Sequence, residues 1–156
     1  MFKTHLALGF LIALLSLQLF HPSFPWLFVP LAALFSGLPD VDTEKSKFGR
    51  KIYPLSLLFR VVFGHRGFFH SILAALGFYF LFVYLNLPFL ALTMLVGYFA
   101  HLLGDAVTLE GVNFLWPFSG FRVSGFMRTG SVMESVVLGF LLAGNIFLIL
   151  KMLNLF

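Results

Sequence analysis

The chain has 156 residues, 60% of them hydrophobic and 10% charged, with a formal net charge of +4. Soluble domains carry about 25% charged residues, so this composition, with a mean hydropathy of +1.02, excludes an ordinary water-soluble fold and predicts a single-domain integral membrane protein. There is no cysteine, which excludes disulfides and thiolate metal sites; any metal must be held by His, Asp or Glu, a donor set suited to zinc, manganese, iron or magnesium.

A transmembrane helix needs about 20 mostly apolar residues. The first candidate runs from Phe2 to Phe20. Lys3 ahead of an apolar run resembles a signal peptide, but "SLQLFHPSF" lacks a small-residue cleavage site, so the segment is expected to be kept as a helix. "HPSFP" at 21–25 then turns the chain. The second candidate, Phe24 to Leu38, is short and is expected to be tilted or partly re-entrant, with Pro30 as its kink point. Residues 52–63, "IYPLSLLFRVVF", are too few to span and include Arg60; they read as an interfacial amphipathic helix. The third span runs from Phe69 to Leu87, "NLP" at 86–88 makes a tight turn, and the fourth runs from Pro88 to Gly104. "WPFSGFRVSGFMRTGS", residues 116–131, reads as an interfacial loop, with Trp116 at head-group depth and Arg122 and Arg128 facing lipid phosphates. The fifth span runs from Val132 to Leu153. The expected fold is all-α, a polytopic bundle of about five transmembrane helices plus one interfacial helix.

With five spans, the N-terminus, the 39–68 loop and the 105–131 loop share one side. Lys3, Lys45, Lys47, Arg50, Lys51, Arg60, Arg66, Arg122 and Arg128 fall there and only Lys151 falls opposite, so that side is expected to be cytoplasmic and the C-terminus to lie across the membrane. Every acidic residue, and His5, His65, His70 and His101, fall on the same side. The polar chemistry is thus expected to converge at one set of helix ends.

His101 and Asp105 in "GYFAHLLGDAVTLEG" are spaced i, i+4 and share a helix face. The pair can chelate a metal, or form a buried hydrogen bond that locks neighbouring helices; ionisable residues at membrane depth are functional candidates by default. Asp40 and Asp42 in "SGLPDVDTEKS" point to opposite faces if the segment is extended, so one suits a metal while the other caps a helix or orients a histidine. In "FGHRGFFHS", His65 and His70 would lie about 140° apart on one helix; they converge only if the chain turns at Gly67, leaving His65 and Arg66 in a loop and His70 in the first turn of the third helix. Arg66 suits a phosphate or carboxylate oxygen, or an anchoring role at the interface. His5 stands at the mouth of the first helix, and Glu134 opens the fifth, where a carboxylate also suits the helix dipole. Taken together, histidines and carboxylates from separate helix ends are how a bundle builds a metal site.

The ordered pieces "THLALG" at 4–9, "GLPDVD" at 37–42, "HRGFFHS" at 65–71, "GYFAHLLGDAVTLEGV" at 97–112 and "WPF" at 116–118 resemble the YdjM family of inner-membrane, metal-dependent hydrolases. That family is in turn thought to be distantly similar to zinc-dependent phospholipase C and the P1-type nucleases. The resemblance covers nearly the whole chain. It implies metal-ligand or catalytic status for His5, Asp40 or Asp42, His70, His101 and Asp105, less defined roles for His65 and Arg66, and a site-shaping role for Thr108, Gly111, Trp116 and Pro117. Phe69 and Ala100 stand where the family usually has small polar residues, which makes the pocket greasier.

The resulting reading is a membrane-bound hydrolase with a cytoplasm-facing site for one or more divalent metals, zinc foremost. His5, Asp42, His70, His101 and Asp105 would hold the metal, and Asp40, Asp42, His65 and Arg66 would serve the chemistry. Arg66, Thr108, Trp116, Arg122 and Arg128 would meet the substrate, a phosphoester such as a lipid head group, and Glu134 would support the ligands from behind. A metal-activated water would be the nucleophile. The partner is the lipid bilayer, and nucleic acid is not expected, since sidedness alone accounts for the charge. Two rivals are a cation or proton transporter, disfavoured because the ligands lie at one face rather than the midplane, and a non-enzymatic adaptor with a structural metal.

Overall fold

Proline and serine set where the apolar runs begin to wind. The computed structural model describes residues 1–42 and 67–154. Among these there are five α-helices, α1 (Phe2–Phe20), α2 (Pro25–Phe35), α3 (Ile72–Tyr84), α4 (Pro88–Ala106) and α5 (Val132–Met152), with short 3-10 turns at Pro39–Asp42 and Phe68–His70. There is no strand among the described residues; the isolated bridges Thr108–Met127 and Val112–Val123 tie together the segment between α4 and α5. Pro25 and Pro88 open α2 and α4, where a missing N–H loses nothing. Ser71 and Ser131 cap α3 and α5, each hydroxyl accepting from the backbone N–H three residues on. The two expected tight turns form, with His21 and Asn86 in the left-handed region at φ 43° and 56°.

α1, α4 and α5 are long and apolar enough to cross a membrane. The expectation of about five spans is therefore corrected to three helices of spanning length among the described residues. α2 has 11 residues and α3 has 13, about 16–20 Å of helix against a hydrocarbon core of about 30 Å. α2 stops at Phe35 because the chain bends through Ser36 and Gly37 into the Pro39 turn. α3 starts at Ile72 rather than Phe69 because Phe68–His70 wind as a separate 3-10 turn closed by Ser71. Pro30 lies inside α2 without ending it. The fourth helix runs two residues past the expected Gly104, which brings Asp105 onto it. The expected interfacial helix at 52–63 and the basic loop from Lys45 to Lys51 lie outside the described residues.

α1 and α4 form the centre: α1 packs on α2, α4 and α5, and α4 packs on α1, α2 and α3. One core cluster joins Ala13, Leu14, Phe28, Val29, Ala32 and Val96; a second joins Ala74, Ala75, Met94, Tyr98, Leu102 and Val112. Small residues let the helices approach. A Cβ on Gly97 of α4 would run into the Ala32 carbonyl oxygen of α2, and one on Gly9 of α1 would come within 2.6 Å of the Ser36 hydroxyl. The start of α1, the end of α2, the start of α3, the end of α4 and the start of α5 meet at one end of the bundle, where nearly all the buried ionisable groups lie.

Candidate metal centre

Two helices and two 3-10 turns deliver side chains to that end. His5 comes from the first turns of α1, Asp40 from the turn after α2, His70 from the turn before α3, and His101 with Asp105 from the last turns of α4. Asp105 is the hub. Its Oδ1 lies 3.4 Å from His5 Nε2, and its Oδ2 lies 3.4 Å from both His70 Nε2 and His101 Nε2. Asp40 Oδ1 lies 4.0 Å from His70 Nε2. The side chains of the three histidines and Asp105 are at most 2% exposed, whereas that of Asp40 is 20% exposed. Asp40 therefore marks the open edge of the cluster.

These separations are longer than the roughly 2.7–3.2 Å of an N–H···O hydrogen bond. They match another geometry. Around a tetrahedral zinc with bonds of about 2.0–2.1 Å, neighbouring ligand atoms stand about 3.3–3.4 Å apart. His5, His101 and Asp105 can converge on one ion, as can Asp40, His70 and His101. The imidazoles crowd as ligands of a common centre do: His5 stacks on His101 at 4.1 Å and 27°, and His70 meets His101 edge-on at 5.1 Å.

Tautomer settles which atom of His101 is offered. Its Nδ1 lies 2.7 Å from the Ser36 carbonyl oxygen. A carbonyl only accepts, so Nδ1 carries the proton and donates. In the neutral ring the Nε2 lone pair then points toward the Asp105 carboxylate, acceptor against acceptor. Neither His101 Nε2 nor His5 Nδ1 has a hydrogen-bond partner. Buried acceptors facing one another need a cation or a proton between them, and a carbonyl holding the far nitrogen is the usual support of a metal-bound histidine.

The outer supports come from residues far away in sequence. The single hydroxyl proton of Ser36 is shared between the carbonyls of His5 and Ala33, at 2.8 and 2.7 Å, and the Ser36 carbonyl meets His101, so one residue ties α1, α2 and α4 together beneath the cluster. The Tyr98 hydroxyl donates to the Phe69 carbonyl at 2.6 Å, holding the turn that presents His70. Gly104 lets the His5 ring lie against α4, since a Cβ there would come within 2.8 Å of His5 Nδ1.

Residues 1–154 match the model of a family described as YdjM inner membrane protein. The chain belongs to the YdjM family. It is 40% identical over 99 residues to inner membrane protein YdjM of Escherichia coli (strain K12), a stretch covering 59% of this chain and 50% of that protein. It is 34% identical over 139 residues to the uncharacterized protein YvsG of Bacillus subtilis (strain 168), covering 87% and 86%. Inner membrane protein YbcI of Escherichia coli (strain K12) is 34% identical over 108 residues, covering 60% and 58%. The matched stretch is about half the length of the YdjM proteins themselves. No solved structure matches.

The candidate site residues named from the sequence separate into three groups. His5, Asp40, His70, His101 and Asp105 come together as described. His70 sits in the 3-10 turn before α3, not in its first helical turn as expected, because Ser71 takes the capping position. Thr108, Arg122, Arg128, Trp116 and Glu134 lie around the cluster rather than in it. Thr108 is fully buried and its hydroxyl donates to the Asp105 carbonyl at 2.8 Å, finishing the last turn of α4. Arg122 is exposed and donates to the Glu110 carbonyl at 3.1 Å, and Arg128 is exposed as well. Trp116 packs edge-on against Phe68, beside the His70 turn. Glu134 accepts from Thr4 at 2.7 Å and from the Gly130 N–H at 2.7 Å, joining α5 to the start of α1 one residue from His5. His65 and Arg66, and the side chain of Asp42, lie outside the described residues. Sequence reasoning missed Ser36, Tyr98 and Asn145, whose amide donates to the Ala7 carbonyl at 3.0 Å and ties α5 to α1. A serine, a tyrosine and an asparagine inside apolar runs were the available signal.

Proposed function

We propose that this protein is a membrane-bound, metal-dependent hydrolase that binds one or more divalent cations, zinc foremost, through His5, His70, His101 and Asp105 with an aspartate of the Pro39–Asp42 turn, and acts on a phosphoester such as a membrane-lipid head group. The observation that carries this reading is the set of three imidazole Nε2 atoms, each 3.4 Å from the Asp105 carboxylate. A bound zinc supplies Lewis acidity and brings the pKa of a coordinated water to about 7. Asp40, 4.0 Å from His70 at the open edge, would accept a proton from a water arriving there or complete the ligand set. The segment from Leu109 to Ser131 lies over the same end of the bundle as the cluster. Its exposed Leu115, Phe118, Phe121 and Phe126 suit immersion at head-group level, with Arg122 and Arg128 toward lipid phosphates. The Lys/Arg distribution supports a cytoplasmic orientation for this end, and the lengths of α2 and α3 support their lying as short or tilted elements beside three full spans.

Metal content by elemental mass spectrometry on detergent-purified protein tests the site, wild type beside His101→Ala and Asp105→Ala. The expected result is stoichiometric metal in the wild type and background in both variants, with α-helical content retained. Release of phosphate-containing head groups from mixed lipid vesicles then tests the activity. Near-complete burial of the histidines favours a second reading, a structural metal without catalysis. That reading predicts the same metal content, no hydrolysis of any ester, and an Asp40→Asn variant indistinguishable from wild type.

A further inference from the structure

A groove of about 630 Å³ runs along the side of the bundle between α1, α2 and α5. It lies on the flank of α1 roughly opposite His5: Lys3, Leu6, Ala7 and Phe10 recur at helical spacing along it, with Leu34 and Leu142 among the facing walls. Its lining is apolar except at two points, Lys3 at the mouth and the amide of Asn145 at the floor. At the mouth the groove continues into a second hollow of about 470 Å³ that shares Lys3 and Leu138 with it and is bordered by Thr4, Ser131, Glu134 and Ser135. The Glu134 carboxylate is turned inward onto Thr4, the Gly130 N–H and the amino terminus, which leaves exposed Lys3 and the serine hydroxyls to face an incoming group.

An apolar slot that opens into a polar cup with a cation at the junction has the shape and charge of an amphiphile. We propose that this groove is a binding site for an anionic phospholipid, distinct from the metal cluster, with one acyl chain along α1 and α5 and the phosphate at Lys3 and Ser135. The volume lies within the roughly 300–1,000 Å³ of small-ligand sites. The surrounding helices α1 and α5 are of membrane-spanning length, so the mouth at Lys3 falls near their ends, where phosphates lie and lysine side chains reach them. A neighbouring helix, about 10 Å across, would fill the slot but leave the cup without a partner for Lys3.

Native mass spectrometry of the full chain in detergent, titrated with dioleoyl phosphatidylglycerol or dioleoyl phosphatidylcholine, tests this. The wild type is expected to retain one phosphatidylglycerol per monomer in preference to phosphatidylcholine. Lys3→Gln, a surface change, is expected to lower that preference about fivefold. Leu142→Trp, which fills the slot, is expected to abolish retention of both lipids, while Phe80→Trp on the exposed face of α3 leaves it intact; thermal melts check that each variant is folded. Equal retention of the two lipids by the wild type, an undiminished preference in Lys3→Gln, or a dimer mass in place of the lipid adduct would overturn the proposal. If Leu142→Trp fails to fold, Lys3→Gln decides alone.

Discussion

α4 and α5 are nearly the same length and both are apolar enough to span a membrane, yet 61% of the best spanning window of α4 is buried inside the protein against 6% of that of α5. Hydropathy alone does not separate them, and α5 is the more hydrophobic of the two. Side-chain size and polarity do. α4 carries Gly97 and Gly104 where it meets α2 and α1, and His101 and Asp105 at the end where these helices converge. α5 carries large exposed residues such as Phe140, Ile146 and Phe147, and it is held to α1 by Glu134 and Asn145. A membrane helix becomes central when neighbours can come close and share its polar groups; one whose surface is uniformly bulky and apolar is already satisfied by lipid.

The strongest way to break this contrast is at the polar end of α4. Asp105→Asn keeps the size of the side chain and removes its charge, and bound metal is expected to fall from stoichiometric to background in elemental analysis. Next is the close approach of α4 to α2. Gly97→Leu is expected to cost about 1–3 kcal/mol by overpacking, read as a lower thermal midpoint, because its Cβ would meet the Ala32 carbonyl and lie 2.9 Å from Phe35 Cβ. Tyr98→Phe removes the donor to the buried Phe69 carbonyl. It is expected to cost about 1–2 kcal/mol and to weaken metal binding about tenfold through the turn that carries His70. Ser36→Ala leaves the carbonyl that holds His101 and removes only the hydroxyl, for about 1 kcal/mol in a denaturation midpoint. The smallest effect belongs to α5. A Cβ on Gly139 meets nothing within 4 Å, so Gly139→Ala is expected to be neutral or to stabilise by up to about 1 kcal/mol through helix propensity. A loss at Gly139 equal to that at Gly97 would mean that α5 is not peripheral.

Much of the candidate site was legible because its signals are local. The His101–Asp105 spacing shows one helix face, and the spacing of His65 and His70 around Gly67 points to a turn there; His70 lies in a 3-10 turn just after Gly67, and His65 lies outside the described residues. The choice between Asp40 and Asp42 was not legible, because it depends on how a four-residue turn is wound; the structure brings Asp40 to 4.0 Å from His70. Thr108 reads as a residue near substrate; in the structure its hydroxyl donates to the Asp105 carbonyl at the end of α4. Ser36 and Tyr98 could not be found, since a serine at a helix end and a tyrosine in an apolar run have many uses. Their roles exist only through partners 29 to 65 residues away.

Composition and periodicity by themselves determined the membrane class, the absence of cysteine ligands, the helix starts at Pro88 and Val132, and the collection of histidines and carboxylates at one set of helix ends. Each depends on residue type and near-neighbour spacing, which the chain carries wherever it folds. The tertiary structure decided that three helices among the described residues have spanning length, that α1 and α4 are central, and that Asp105 is the common neighbour of three imidazoles. It also decided that His101 offers Nε2 rather than Nδ1. Those outcomes rest on distances between atoms brought together by separate helices, and no local pattern encodes such a distance.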